Sequence, residues 1–382
     1  MKIGTITVQN GMNYGASLQA FALIKYLELQ GIETHLIDYR NKKIEDRLRE
    51  KTETSINMFS ISEIKRVIRR ILSDIVFHTN AYNQKKRKAF DDFHKGIFDK
   101  DAGTLYDLSD LKKLNRYYDG FICGSDQIWN KKITDLDDAF FLKFADKSKL
   151  KIAYAPSLGG KTDTISQTEV NIYEEKLKSL DYLSVREENN REFIETVSHQ
   201  PCTVVVDPVL LLGRDEWEAI IRSVDPLLDS NYAVYYPVIS DPKLEKFAMQ
   251  ITKERGLKLI NPRLVPSYAK AKGYTGISNR VVGPLEFIRL IRDAECVFTN
   301  SFHATVFSSL FDKELYFLLL EGEHASRNNR ILEYLKIINK YTDKTIHNNM
   351  IHIEGFSQEE LHNYLDQRIK SSNDYLADAL NL

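Results

Sequence analysis

Short apolar runs alternate along this chain with longer stretches whose bulky residues recur at helical spacing. "KIGTITV" reads as a strand, "NGMNYGAS" as a Gly/Asn turn, and "LQAFALIKYLELQG" as a helix ending at Gly31. "THLIDYR" is a second strand, so the chain opens on a βαβ unit of the doubly wound α/β kind. From about residue 42 to 116 the pattern turns polar, helical and rich in Lys and Arg, a helical insertion in the first α/β series. Strands resume with "YYDGFICGSDQIW" and "KIAYAPSLGG", followed by a helix over 166–180, then "YLSVREENN" and "CTVVVDPVLLL".

"LLGRDEWEAII" and "DPLLDS" read as a linker region. A second α/β series then runs through "NYAVYYPVI", the helix "DPKLEKFAMQITKERG", "LKLIN", the helix "PLEFIRLIRDA" and "ECVFTN". It ends with a helix following His303, the strand "ELYFLLL", a helix from about Asn328 and a long amphipathic helix, "SQEELHNYLDQRIKSSNDYLADAL". The expected division is 1–212 for an N-terminal Rossmann-like domain carrying the insertion, and 213–382 for a C-terminal Rossmann-like domain. The final helix is a candidate to pack back on the first domain.

A chain of 382 residues exceeds one ordinary core, which supports two domains. Lys+Arg 53 against Asp+Glu 54 gives a net charge of -1, with no global basic field for nucleic acid. The three cysteines, Cys123, Cys202 and Cys296, are far apart and form no metal-ligand pair; Cys123 and Cys296 lie in apolar strand-like runs and are expected as buried free thiols, in a reducing cytoplasm. No signal-peptide run or membrane-span pattern occurs.

In open α/β sheets ligands sit beyond the carboxyl ends of the strands. The polar turns at that position are 10–17, 124–130, 155–160, 184–188 and 300–303. Asn300, Ser301 and His303 stand where a strand gives way to a helix, whose free N–H groups favour an anion. A histidine there serves a site or merely caps a helix, at even odds. Arg186 has a bland reading as a salt bridge to Glu187, Glu188 or Asp207, and Asp126 as a cap or turn residue. Gly11 and Gly15 fit simple turns. The glycine spacing is not that of a dinucleotide site, and no Walker A, H-E-x-x-H or G-x-S-x-G pattern occurs.

The stretches "NYGASLQAFAL", "FICGSDQIWN", "IAYAPSLG", "LSVREENN", "VVVDPVLLL", "GPLEFIRLIRDAECVFTNSFHATVFSSLF" and "SRNNRILEYL" together resemble the polysaccharide pyruvyl transferase family, over most of the chain except 42–116. The resemblance implies two Rossmann-like domains facing a central cleft, as in glycosyltransferases of the B type. It also implies transfer of the enolpyruvyl group of phosphoenolpyruvate to two hydroxyls of one sugar, giving a pyruvate ketal and phosphate. His303 then matches the family's acid–base histidine, a role suited to a side chain titrating near neutrality. Arg186 matches the donor-binding arginine, with Asn300, Ser301 and Phe302 beside it. Some relatives carry a further arginine where this chain has Ser301; Arg327 or Arg330 is a candidate replacement, Arg330 having the stronger claim to being a solvated helix-start residue. Asn13, Tyr14, Gly15, Ser125 and Asp126 would face the acceptor. Trp129 either stacks on a sugar or anchors the core.

No metal and no cofactor are expected, with phosphoenolpyruvate as co-substrate. The partner would be a sugar acceptor, lipid-linked, of an exopolysaccharide or other cell-surface glycan. Alternatives are a nucleotide-sugar glycosyltransferase of the same fold and a non-catalytic carbohydrate-binding or assembly protein. The basic amphipathic run "SISEIKRVIRRILSDIVF" (60–77) and the four basic residues at 85–88 fit a packed helix with a solvated face. Their sharper reading is peripheral contact of a cytoplasmic enzyme with anionic lipid at the inner face of the membrane.

Overall fold

The computed structural model describes residues 1–9, 11–41, 81–160, 162–275, 277, 280–341, 346–347 and 349–382. The predicted helix at 60–77 lies outside them.

Two separate sheets carry the chain. The first holds β1 (Lys2–Ile6), β2 (Glu33–Leu36), β3 (Gly120–Cys123) and β4 (Leu150–Ala153), all parallel, in the order β2-β1-β3-β4. A bridge from Ile152 to Tyr182 joins them to the parallel pair β5 (Leu183–Val185) and β6 (Cys202–Val204). The second sheet holds β7 (Tyr232–Tyr236), β8 (Lys258–Ile260), β9 (Cys296–Thr299), β10 (Glu314–Leu318), β11 (Ile346–His347) and β12 (Met350–Ile353). Its order is β11-β12-β10-β9-β7-β8, parallel from β8 to β10, with an antiparallel edge at β12 and β11. The expected two Rossmann-like sheets are therefore present. The antiparallel edge was not anticipated, because two and four residues are too short for a period-two pattern to stand out.

Each sheet has one switch point, where successive connections leave in opposite directions. In the first it lies between β1 and β3, in the second between β7 and β9. Crevices for ligands open at these places, beyond the carboxyl ends of the strands. The helix Tyr14–Leu29 follows β1 and the helix Phe302–Leu310 follows β9.

One apolar cluster spans both halves, and each sheet has a further cluster of its own. Tyr14 from the first half stacks on Phe287 from the second, ring centroids 4.3 Å apart and 5° from parallel. Its hydroxyl donates to the carbonyls of Val282 (2.9 Å) and Pro262 (3.3 Å). A stacked pair of this kind contributes about 0.5–1.5 kcal/mol beyond area burial. The last helix, Gln358–Leu380, also crosses over. Ser372 Oγ accepts from the Val206 N–H, Tyr375 donates to the Ala153 carbonyl, and Tyr26 donates to Asn373.

The segment read as a linker contains the helix Arg214–Ile221. Trp217 and Ile221 fall one turn apart and are both fully buried, and Trp217 Nε1 donates to the Val209 carbonyl (3.0 Å). Asp215 and Glu216 in its first turn complement the helix dipole. Four charges among its first five residues hid the helix from a pattern reading.

Residues 81–95 form a helix of the insertion. Of its four consecutive basic residues only Lys85, Arg87 and Lys88 are exposed; Lys86 is buried. All three cysteines are buried and free. No helix among the described residues is long and apolar enough to cross a membrane.

Candidate active site

Ser301 ends the extended backbone after β9, and its Oγ accepts from the Ala304 N–H. Ser301 is thus the N-cap, and the helix begins at Phe302, one residue before His303. The histidine sits in the first turn rather than ahead of it, and capping is not its task. Asn300 spends its amide on the loop after β7: Oδ1 accepts from the Val238 and Ile239 N–H groups, and Nδ2 donates to the Ile239 carbonyl. It ties the two strand ends of the second switch point together.

His303 is buried, and its Nε2 lies 3.4 Å from Asp207 Oδ2. That is the outer edge of hydrogen-bonding distance, and Nε2 has no formed hydrogen bond to any described residue. Asp207 follows β6 in "VVVDPV" and is fully buried. Arg186 Nη1 donates to its Oδ2 (2.7 Å) and the Val209 N–H to its Oδ1 (3.1 Å). Burial pushes the Asp207 carboxyl up, but His303 and Arg186 beside it more than offset this and hold it below the usual carboxylate range. Asp207 therefore stays charged and is placed to orient His303.

Arg186 also donates from Nε to Glu187 Oε1 (2.9 Å), and Glu187 in turn accepts from Asn190. Burial pushes the guanidinium down, while Glu187, Asp207 and Asp126 push it up and prevail. The salt bridges anticipated to Glu187 and Asp207 are both present; Glu188 instead gives its N–H to Glu333. These pairs do not exhaust Arg186. Its Nη2 is buried without a hydrogen bond to any described residue, 3.9 Å from Asp126 Oδ1. The Phe302 ring lies 4.8 Å from the guanidinium carbon, within cation–π range.

On the first half, Asn13 caps its helix by accepting from Gly15 and Ala16. Gly15 packs directly on the imidazole of His303. Ser125 is buried, with Oγ 3.4 Å from Asp207 Oδ2. Asp126 follows in a left-handed turn (φ 68°). Gly15 after β1, Ser125 and Asp126 after β3, Arg186 after β5, and Phe302 and His303 after β9 are thus brought together around Asp207, while Asn13 and Ser301 serve as helix caps. Tyr14 does not join them, because its ring and hydroxyl are used in packing the halves together. Trp129 is buried, stacked on Phe141, with Nε1 donating to the Phe140 carbonyl, which is the anchor rather than the sugar platform. Arg327 ends a short 3₁₀ helix, Gly322–Arg327, and is half-buried.

Asp207 entered the sequence reading only as a possible partner of Arg186. Its signal was the same as that of the other polar turns, a charged residue immediately after an apolar strand run. Arg330 is largely withdrawn from solvent beside Arg186 rather than solvated, its side chain 14% exposed. Among the described residues no group of three or more His, Cys, Asp or Glu is placed to hold a metal ion.

A model of the polysaccharide pyruvyl transferase family matches residues 13–320. The chain belongs to this family. The match runs from the helix after β1 to the end of β10 and includes every residue of the cluster around His303, and it makes the protein a member of a transferase family. A comparison with curated proteins finds no match. Among solved structures the chain is similar to UDP-GlcNAc 2-epimerase from Neisseria meningitidis bound to UDP-GlcNAc, at 12% identity and TM-score 0.47, covering 100% of this chain and 99% of that one. It is also similar to UDP-GlcNAc 2-epimerase from Methanocaldococcus jannaschii, at 17% identity and TM-score 0.44, covering 87% and 86%. Arabidopsis thaliana UGT89C1 complexed with UDP is similar at 12% identity and TM-score 0.41, covering 88% and 84%.

Proposed function

We propose that this pyruvyl transferase family member moves the pyruvyl group of phosphoenolpyruvate onto two hydroxyls of one sugar residue in a polysaccharide precursor. The products are a cyclic pyruvate ketal and phosphate. The observation that carries this reading is the buried His303–Asp207–Arg186 series at the meeting of the two switch points.

The chemistry needs what this series offers. A proton must reach the methylene carbon of the donor, leaving a cation-like C2. One sugar hydroxyl then adds to C2 and loses its proton. The C2–O bond to phosphate breaks, and the second hydroxyl closes the ring and loses its proton. Two protons are released for the one consumed, and the balance leaves with phosphate. His303 is the group that delivers and collects them, with Nδ1, beside Gly15, as the reacting nitrogen and Nε2 turned to Asp207. Asp207 stabilises the imidazolium, and Arg186 attracts the donor's oxyanions. No cofactor is required in this scheme. A lipid-linked acceptor would bring the enzyme to the cytoplasmic face of a membrane, where Lys85, Arg87 and Lys88 and the basic run at 60–77 would meet anionic lipid.

The test is phosphate release from phosphoenolpyruvate with a panel of lipid-linked sugars, together with mass analysis of the acceptor. Acceptor-dependent release with a ketal-bearing product is expected. Release with none of the sugars, or transfer of sugar from a nucleotide donor instead, would overturn the proposal.

A further inference from the structure

Two largely buried arginines flank one aromatic ring beside His303, and each keeps one buried N–H without a partner, although the neutral side-chain amide of Gln127 lies 3.3 Å from Arg330 Nη1 and Nη2. The Phe302 ring centroid lies 4.8 Å from the Arg186 guanidinium carbon and 5.9 Å from that of Arg330. Both side chains line the same cavity, with Glu187, Asp207 and Phe302. Arg186 Nη2 and Arg330 Nε are both buried without a hydrogen bond to any described residue. The two guanidiniums converge on one point. Asp126 Oδ1 is 3.9 Å from Arg186 Nη2 and 3.9 Å from Arg330 Nη1. A charge-assisted N–H···O bond is about 2.7–2.9 Å long, so this carboxylate oxygen stands about an ångström too far from both.

Arg186 has two close counter-charges, Glu187 and Asp207. Arg330 has none closer than Asp126 among the described residues. A guanidinium removed from water beside a second guanidinium, with no carboxylate in contact, is costly unless an anion completes it. Burial, and Arg186 next to it, accordingly push the Arg330 guanidinium down from its ordinary range.

We propose that Arg186 and Arg330 form a cradle for a single phosphoryl oxyanion, with Phe302 as its floor and Arg330 as the second cation of the site. Asp126 marks the oxyanion's place and competes weakly with it. Arg330 leads the helix Asn328–Ile337 from its first turn, so the cradle joins that helix to the turn after β5. The cradle is beside His303, whose ring centroid lies 5.3 Å from that of Phe302. The identity of the ligand as phosphoenolpyruvate rests on the pyruvyl-transfer reading; the cradle itself does not.

The experiment is titration calorimetry of inorganic phosphate into the full chain at low salt. Saturable binding is expected. Arg330→Gln should weaken it tenfold or more, Arg330→Lys should recover only part because a point charge cannot reproduce the planar fork, and Asp126→Asn should tighten it several-fold by removing the competing carboxylate. Absence of saturable binding to the wild type, or wild-type affinity in a folded Arg330→Gln chain, overturns the cradle. If Arg330→Gln does not fold, Arg330→Lys decides, and wild-type affinity in it overturns the cradle. Competition separates the two proposals. Arg330-dependent phosphate binding that phosphoenolpyruvate cannot displace leaves the cradle and removes pyruvyl transfer. Phosphoenolpyruvate turnover with an unchanged KM in Arg330→Gln leaves pyruvyl transfer and removes the cradle. Stronger displacement by inorganic pyrophosphate than by phosphoenolpyruvate reassigns the oxyanion to the acceptor's diphosphate and removes the donor assignment.

Discussion

Gly15 and His303 touch so closely that a methyl group on Gly15 would lie 2.2 Å from the histidine's Nδ1. Each is the second residue of the helix that follows a strand at its sheet's switch point. The missing side chain on one helix is what lets the imidazole of the other stand between the halves. Gly15→Ala should therefore displace His303 rather than merely crowd it. Stability should fall by about 1–3 kcal/mol, as for overpacked sites, and turnover should fall about a hundredfold, more than stability alone explains. Urea unfolding and initial rates on the same preparation check this, and wild-type turnover in the variant would refute it.

His303→Gln keeps a polar side chain of similar reach but cannot cycle a proton. Turnover should drop by about 10²–10⁴, with phosphoenolpyruvate binding much less affected. Because Ser301 caps the helix, the substitution should leave helix content unchanged by circular dichroism. Near wild-type turnover in the folded variant removes the acid–base role.

Asp207→Asn tests the centre of the buried network. It leaves Arg186 and His303 without their shared carboxylate, a change that typically costs about 3–5 kcal/mol. The pH dependence has a definite sign. Asp207 is held below the usual carboxylate range in the folded chain, so its contribution is present above about pH 3.9, the ordinary Asp value. It is lost as pH falls further towards the folded-state value. The stability gap between wild type and Asp207→Asn should therefore be full at neutral pH and close below about pH 4. A gap that widens in acid would contradict the assignment.

Lys86 gives a dependence of the same sign in a higher pH window. Its ammonium donates to the Pro262 carbonyl (2.9 Å) across the joint and lies 5.0 Å from the Tyr14 ring centroid. Burial, with the charge of Arg263 added, pushes it down to about 7. Below that pH the folded and unfolded chains both hold the proton, and the burial penalty is full. Between about 7 and the ordinary lysine value near 10.4 the unfolded chain binds more protons, so stability rises with pH. Lys86→Met should raise the melting temperature at pH 6, and the gain should shrink by pH 10. A lower melting temperature for Lys86→Met at pH 6 would show that the Pro262 and Tyr14 contacts outweigh the buried charge.

The sequence by itself determined the elements whose signals are local. β3 and β9 are short apolar runs, the β1 run "KIGTITV" carries its apolar residues among threonines, and Gly31 ends a helix with φ 78° just where the periodicity stops. It also placed His303, Arg186 and Asp126 at the carboxyl ends of strands, because strand-to-helix turns are visible in one stretch of chain. Tertiary structure decided which of those turns meet. Nothing near "VVVDPV" says that Asp207 will face His303, or that "NYG" needs its glycine for that histidine rather than for its own turn. The same holds for Lys86 and Arg330, charged residues that a helical pattern assigns to solvent and that packing turns inward. Periodicity records only which face of an element is apolar. The partner of each polar group is set by which strand ends the two sheets bring together, and that choice is made by long-range packing such as Tyr14 on Phe287.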